Sequence, residues 1–142
     1  MKILVTGGAG YIGSHVIRQL IAAGHEPVAL DDLTNGKKDR LGQTPLIQLD
    51  LASPEATNQL VKAFKDYAID GVIHLAARKA VGESVERPEY YYQQNINSVT
   101  NLLLAMREAK VLNMVFSSSA ATYGSPEVDQ VNEDYLARPI NP

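Results

Sequence analysis

Apolar and polar residues come in blocks along the chain, and the blocks carry two periods. Residues 2–6 are a short apolar, β-branched run, the pattern of a strand buried on both faces of a parallel sheet. From Tyr11 to about Ala23, the residues Ile12, Val16, Ile17, Leu20 and Ile21 recur at helical spacing, and Gly24 stands where a C-cap belongs. Residues 27–30 read as a second strand ending at Asp31-Asp32, followed by a polar loop over 34–40. Residues 46–49 read as a third strand, closed by Asp50. Ser53-Pro54 predicts a helix N-cap with Pro at the first position, in a helix that carries Leu60, Val61 and Phe64 inward and stops near Tyr67. Residues 71–76 make a fourth strand and 78–87 a polar loop. Pro88 opens the longest helical pattern, to about Lys110, with Ile96, Val99, Leu102, Leu103 and Met106 three and four apart. Residues 111–116 form a fifth strand that runs into Ser117-Ser118-Ser119. Residues 120–142 hold no sustained period and read as surface loop.

Strands alternating with helices imply right-handed crossovers and an α/β fold: a doubly wound parallel sheet in order 3-2-1-4-5. In such a sheet the ligand crevice lies beyond the strand C-termini, beside the first strand. The chain puts Gly7, Gly10 and Gly13, then Asp31, Asp50, Ala76 to Lys79, and Ser117 to Ser119 at the predicted strand ends. Gly7-x-x-Gly10-x-x-Gly13 joins a strand to a helix N-terminus. Backbone N–H groups there point at an anion, the helix dipole favours its charge, and no Cβ blocks its approach. The whole is a Rossmann-type dinucleotide site. Asp31 is placed to accept from the adenosine ribose 2′-OH and to repel a 2′-phosphate, which favours NAD over NADP, and Asp32 adds to that charge. Lys37 and Lys38 oppose this preference unless the loop leaves them solvated.

Composition changes the picture little. The 142 residues fit one domain, and a net charge of −3 gives no electrostatic reason for nucleic acid or an anionic membrane. There is no Cys, so disulfides, thiolate metal sites and a Cys nucleophile are excluded. No His/Asp/Glu spacing suggests a metal. No stretch approaches the ~20 apolar residues of a membrane span, and a cytoplasmic protein is expected. His74 lies inside an apolar strand and reads as a packed, hydrogen-bonded residue; His15 and His25 read as surface. Tyr90-Tyr91-Tyr92 reads as packing or an interface. Asp50 either contacts adenine or ends a turn. The three serines either bind a substrate hydroxyl or terminate the strand.

Residues 6–15, Thr-Gly-Gly-Ala-Gly-Tyr-Ile-Gly-Ser-His, resemble the opening of the extended short-chain dehydrogenase/reductase family. Residues 79–84, with Pro88 and the tyrosine run, and residues 116–124 resemble the branch that epimerises UDP-hexoses at C4. The resemblance implies NAD bound by Gly7, Gly10, Tyr11, Ile12 and Gly13 at the pyrophosphate, and by Asp31, Asp32, Leu33, Thr34, Asn35 and Gly36 at the adenosine ribose. Asp50 and Leu51 would meet adenine; Leu75, Ala76, Ala77, Lys79 and Ser117 would follow the rest of the cofactor. Gln94 stands where the family usually has Asn. Ser119 matches the catalytic Ser, and Lys79 and Ser119 face the UDP-sugar substrate. Related dehydratases carry Thr-Asp-Glu where this chain has Ser119-Ala120-Ala121, so elimination of water lacks its acid pair. The implied chemistry is transient oxidation to a 4-keto sugar, with a Tyr-x-x-x-Lys pair as base. That pair usually follows Asn/Ser-Pro, and these residues end at Asn141-Pro142. The chain is therefore expected to be the NAD-binding portion, 1–142, of a longer homodimeric enzyme, without the sixth strand and substrate domain, and inactive alone. The alternatives are a stand-alone NAD-binding or regulatory module and another NAD-dependent nucleotide-sugar epimerase.

Overall fold

The computed structural model describes residues 1–142. Five parallel strands, β1 (Lys2–Thr6), β2 (Glu26–Asp31), β3 (Leu46–Gln48), β4 (Gly71–His74) and β5 (Asn113–Phe116), lie in the order β3-β2-β1-β4-β5. This is the predicted α/β, Rossmann-type order. Successive side chains of β1 point to opposite faces, and the core divides accordingly. Leu4 joins Val28, Leu30 and Val72 under the helices α2 (Ala56–Asp66) and α4 (Pro88–Ala109). Ile3 and Val5 join Ala29 and Ile17 under α1 (Tyr11–Ala22). β1 is buried along Ile3 to Thr6 because it is covered on both faces.

α1 ends as its sequence predicts. Gly24 takes a left-handed φ of 78°, and the His25 and Gly24 N–H groups donate to the Leu20 and Ile21 carbonyls. α4 closes with the same bonds, from Val111 to Met106 and Lys110 to Arg107, although Lys110 occupies the left-handed position at φ 59°. Val111 is therefore used as a helix stop, and β5 begins two residues later than its apolar run.

Three further expectations change. Ser53 is not the N-cap of α2: Ala56 N–H donates to the Ser53 carbonyl in a turn, and the helix starts at Ala56. Asn101 of α4 fixes that turn by donating from Nδ2 to the Leu51 and Ser53 carbonyls at 2.8 and 3.1 Å. The loop over 78–87 contains a short helix, α3 (Val81–Glu86), held by Tyr91 Oη, which donates to Glu83 at 2.8 Å and accepts from Ala80 N–H. The loop over 34–40 winds into a 3₁₀ turn at Lys38–Leu41 that buries Leu41 against the α1 side. α4 carries apolar residues on more than one side: Tyr91, Leu102, Ala105 and Met106 face inward, while Tyr92, Ile96 and Leu103 are about half exposed or more.

Candidate functional site

The strand register brings the site residues to one level. Thr6 pairs with Leu30 on one side and His74 on the other, and His74 pairs with Phe116. The residues that follow each partner, Gly7, Asp31, Leu75 and Ser117, thus emerge along one edge of the sheet. Asp50 emerges nearby, two residues past the end of β3.

Gly10 N–H closes the glycine turn on the Gly7 carbonyl at 3.0 Å. Gly13 packs the start of α1 onto that same carbonyl so closely that a Cβ there would stand 2.1 Å from it. Gly10 caps α1 without a side chain, and no acidic residue sits in its first turn. The positive end of the helix macrodipole therefore faces the crevice with no acidic side chain of its own first turn upon it. Gly13 is buried, whereas Tyr11 and Ile12 expose their side chains.

Asp31 is buried, and its carboxylate ties the two sides of the turn together. Oδ2 accepts from Ala9 N–H at 3.0 Å and Oδ1 from Leu33 N–H at 2.9 Å. Asp32 accepts from Thr34 N–H at 2.8 Å and pairs with Arg78. Asn35 is exposed and Gly36 half-buried beside them. Asp50 caps its own turn by accepting from Ala52 N–H at 2.9 Å. Leu51 sits in the core with its carbonyl taken by Asn101, so its side chain is not part of the site. Lys37 and Lys38 are exposed.

The β4 tip is organised by a residue that sequence reasoning missed. Thr6 Oγ1 accepts from the N–H groups of Leu75 and Ala76 at 3.1 and 3.2 Å and lies 2.8 Å from His74 Nδ1. With both acceptor positions used, the hydroxyl must donate its proton to Nδ1. His74 is thereby assigned as a neutral imidazole with its proton on Nε2, and burial holds its pKa below the usual value. It is the packed residue its setting predicted, stacked on Phe116. Arg78 falls within the predicted strand-end stretch 76–79 but with no role of its own, and Asn95 was missed: Asn95 brackets the Arg78 peptide, accepting from its N–H at 2.8 Å and donating to its carbonyl at 3.0 Å. Gln94 is half-buried one position earlier, its carbonyl taken by Ser98. Thr6 and Arg78 left weak signals, a hydroxyl ending an otherwise apolar strand and a lone cation among small residues.

Ala77 and Lys79 are exposed at the same edge, as are Ser117 and Ser119. Ser119 Oγ accepts from Ala121 N–H and so caps a short 3₁₀ turn at Ala120–Tyr123, leaving its proton free to donate outward. The buried Tyr91 phenol is pushed up by burial and by its bond to Glu83, the wrong direction for a base. A cavity of about 740 Å³ lies at the opposite edge of the sheet among Lys2, His25, Glu26 and Tyr67. It is an open trough where the Lys2–Glu26 pair leaves no site of one charge sign.

Residues 3–142 match the profile of the NAD dependent epimerase/dehydratase family. The chain is 44% identical over its whole length to the UDP-glucose 4-epimerase of Lactobacillus helveticus, and spans 42% of that relative. It is 45% identical over 140 residues to a UDP-glucose 4-epimerase of Klebsiella pneumoniae, covering 92% of this chain and 99% of that one. Among solved structures, the Brucella ovis UDP-glucose 4-epimerase in complex with NAD superposes with a TM-score of 0.91 at 39% identity, over 99% of this chain and 42% of that one. The Bifidobacterium longum enzyme in complex with NAD+ and UDP superposes with a TM-score of 0.89 at 33% identity, over 97% and 43%.

Proposed function

The chain belongs to the NAD dependent epimerase/dehydratase family, and from that membership we propose that the protein interconverts UDP-glucose and UDP-galactose by transient oxidation at C4. The observation that carries this reading is the meeting of the glycine turn, Asp31 and the β4 and β5 tips at one sheet edge, in a chain whose relatives are UDP-glucose 4-epimerases. The residues fit NAD. The crowding at Gly13 leaves backbone alone around the turn, and the first turn of the helix there lacks an acidic side chain of its own. When bound, NAD supplies a reversible hydride acceptor.

The chain's own residues then bind and orient. Backbone N–H groups of Tyr11 and Ile12 hold the pyrophosphate beside Gly7, Gly10 and Gly13, whose turn the Gly10 N–H itself closes, and Asp31 accepts from the adenosine ribose. Asp32, Leu33, Thr34, Asn35 and Gly36 border the ribose, and the Asp50–Leu51 backbone borders adenine. Leu75, Ala76, Ala77, Gln94 and Ser117 line the path to the nicotinamide. Lys79 and Ser119 face the sugar, with the Ser119 hydroxyl donating to the reacting oxygen. No Tyr-x-x-x-Lys occurs among the 142 residues; the reading assigns proton removal to such a pair elsewhere in the whole protein, and makes residues 1–142 its NAD-binding domain.

The half-exposed Tyr92, Ile96 and Leu103 of α4 support a homodimer through that helix. No helix is long and apolar enough to cross a membrane, which agrees with action in the cytoplasm. The test is conversion of UDP-galactose to UDP-glucose by the intact, NAD-loaded protein, read by a coupled dehydrogenase. Turnover is expected, with a loss on the order of 100-fold in Ser119→Ala; residues 1–142 alone should give none. Absence of conversion in the intact protein overturns the reading.

A further inference from the structure

Arg78 reaches across the crevice from the β4 side to the β2 side. Its Nη2 donates to Asp32 Oδ2 at 2.8 Å and to Thr34 Oγ1 at 3.4 Å. Because β1 lies between β2 and β4, this bridge passes over the end of the strand that carries the glycine turn. The pair is largely shielded, with side-chain exposures of 21% for Arg78 and 28% for Asp32. It is also positioned from behind: Asn95 brackets the Arg78 peptide, and Thr34 N–H holds the other Asp32 oxygen. A guanidinium beside the β2 tip is the group that accommodates a 2′-phosphate, whereas an acid there selects the free 2′-hydroxyl. This chain carries both, and it spends a second acid on the guanidinium.

We propose that Asp32 is a specificity-determining residue: by engaging Arg78 it withholds the guanidinium from a 2′-phosphate, and so makes the crevice select NAD over NADP. The inference rests on the reading of the crevice as a dinucleotide site with the adenosine ribose at Asp31. Asp31 alone repels a 2′-phosphate, but a free Arg78 next to it would offset that repulsion with a charge-assisted bond. The Asp32 carboxylate takes the Nη2 donor and neutralises the guanidinium, so that Asp31 leaves the tip negative. Selectivity at this edge therefore belongs to three residues from two strand ends.

The experiment is titration of NAD and NADP into the intact protein freed of nucleotide, for the unaltered chain, Asp32→Asn, Arg78→Leu and the double variant. Asn keeps the oxygen that caps Thr34 N–H and removes the charge; Asp32→Ser makes the same prediction with a different cap. Ligand-free melting of each variant shows that it is folded. The preference for NAD should fall by about tenfold in Asp32→Asn, through tighter NADP, as one charge-assisted phosphate contact is gained. It should return to the unaltered value in the double variant and stay there in Arg78→Leu. An unchanged preference in both Asp32 variants overturns the inference, as does a gain that persists without Arg78. Failure of the unaltered protein to bind NAD overturns the underlying site reading instead.

Discussion

Replacing Thr6 with Val keeps the shape of a fully buried side chain and removes one hydroxyl. That hydroxyl serves three partners: the N–H groups of Leu75 and Ala76, and His74 Nδ1. Leu75 N–H keeps a second acceptor, the Thr6 carbonyl at 3.3 Å. Ala76 N–H is left without an acceptor within the protein, and His74 Nδ1 without a donor. An orphaned buried polar group costs ~1–3 kcal/mol, so the two together predict a loss of about 3 kcal/mol, with the imidazole contributing the smaller part. Thr6→Ser retains the hydroxyl and deletes one buried methyl, at about 1 kcal/mol. The assay is urea unfolding of both variants. With m near ~2 kcal/mol/M, Thr6→Val should lower the midpoint by about 1.5 M and Thr6→Ser by about 0.5 M, at unchanged m. Equal midpoints for the two variants would refute the claim that this hydroxyl, rather than packing, fixes the β4 tip.

Other outcomes follow from the same structure. His74 is held below its ordinary value of 6.5 by burial, so the unfolded chain binds the proton more readily than the native one. Stability is full above that value and falls as the pH drops below it; His74→Gln should flatten the ΔG–pH profile there, and an identical slope would contradict the assignment. Gly13→Ala puts a Cβ 2.1 Å from the Gly7 carbonyl; the overpacking should cost about 1–3 kcal/mol and abolish detectable NAD binding in a thermal-shift titration. Asn101→Ala frees the Leu51 and Ser53 carbonyls and should cost about 2 kcal/mol, measured by thermal unfolding. Ile96→Glu should convert the intact protein from dimer to monomer in sedimentation if α4 is the interface, and leave it unchanged if it is not.

The strands and the glycine turn were legible because both rest on local pattern, and the strand order follows from right-handed crossovers between those strands. Apolar runs of the right length and a Gly-x-x-Gly-x-x-Gly step need no knowledge of distant contacts. Thr6 was not legible as an organiser, since its imidazole partner lies 68 positions away and nothing near it in sequence marks the bond. Arg78 was hidden for the same reason, its carboxylate being 46 positions back. The short α3 escaped because six residues containing Gly82 hold too little periodicity to set against a polar loop. Ser53 shows the opposite error: Ser-Pro has good capping chemistry, but Asn101 holds its carbonyl in a turn, and the helix waits until Ala56. In α4, Leu102 and Met106 face the core while Ile96 and Leu103 do not; periodicity located the helix without separating its two apolar faces.

The central claim is that NAD seats on the glycine turn at the strand C-termini. Amide shift mapping of the 142-residue chain on titration with NAD tests it directly, because glycine amides resolve well and lie at both ends of the sheet. Shifts concentrated at Gly7, Gly10, Gly13 and Gly36, with Gly24 and Gly42 at the far edge unmoved, are the predicted result. Shifts at Gly24 and Gly42, with the turn silent at saturating NAD, would contradict it.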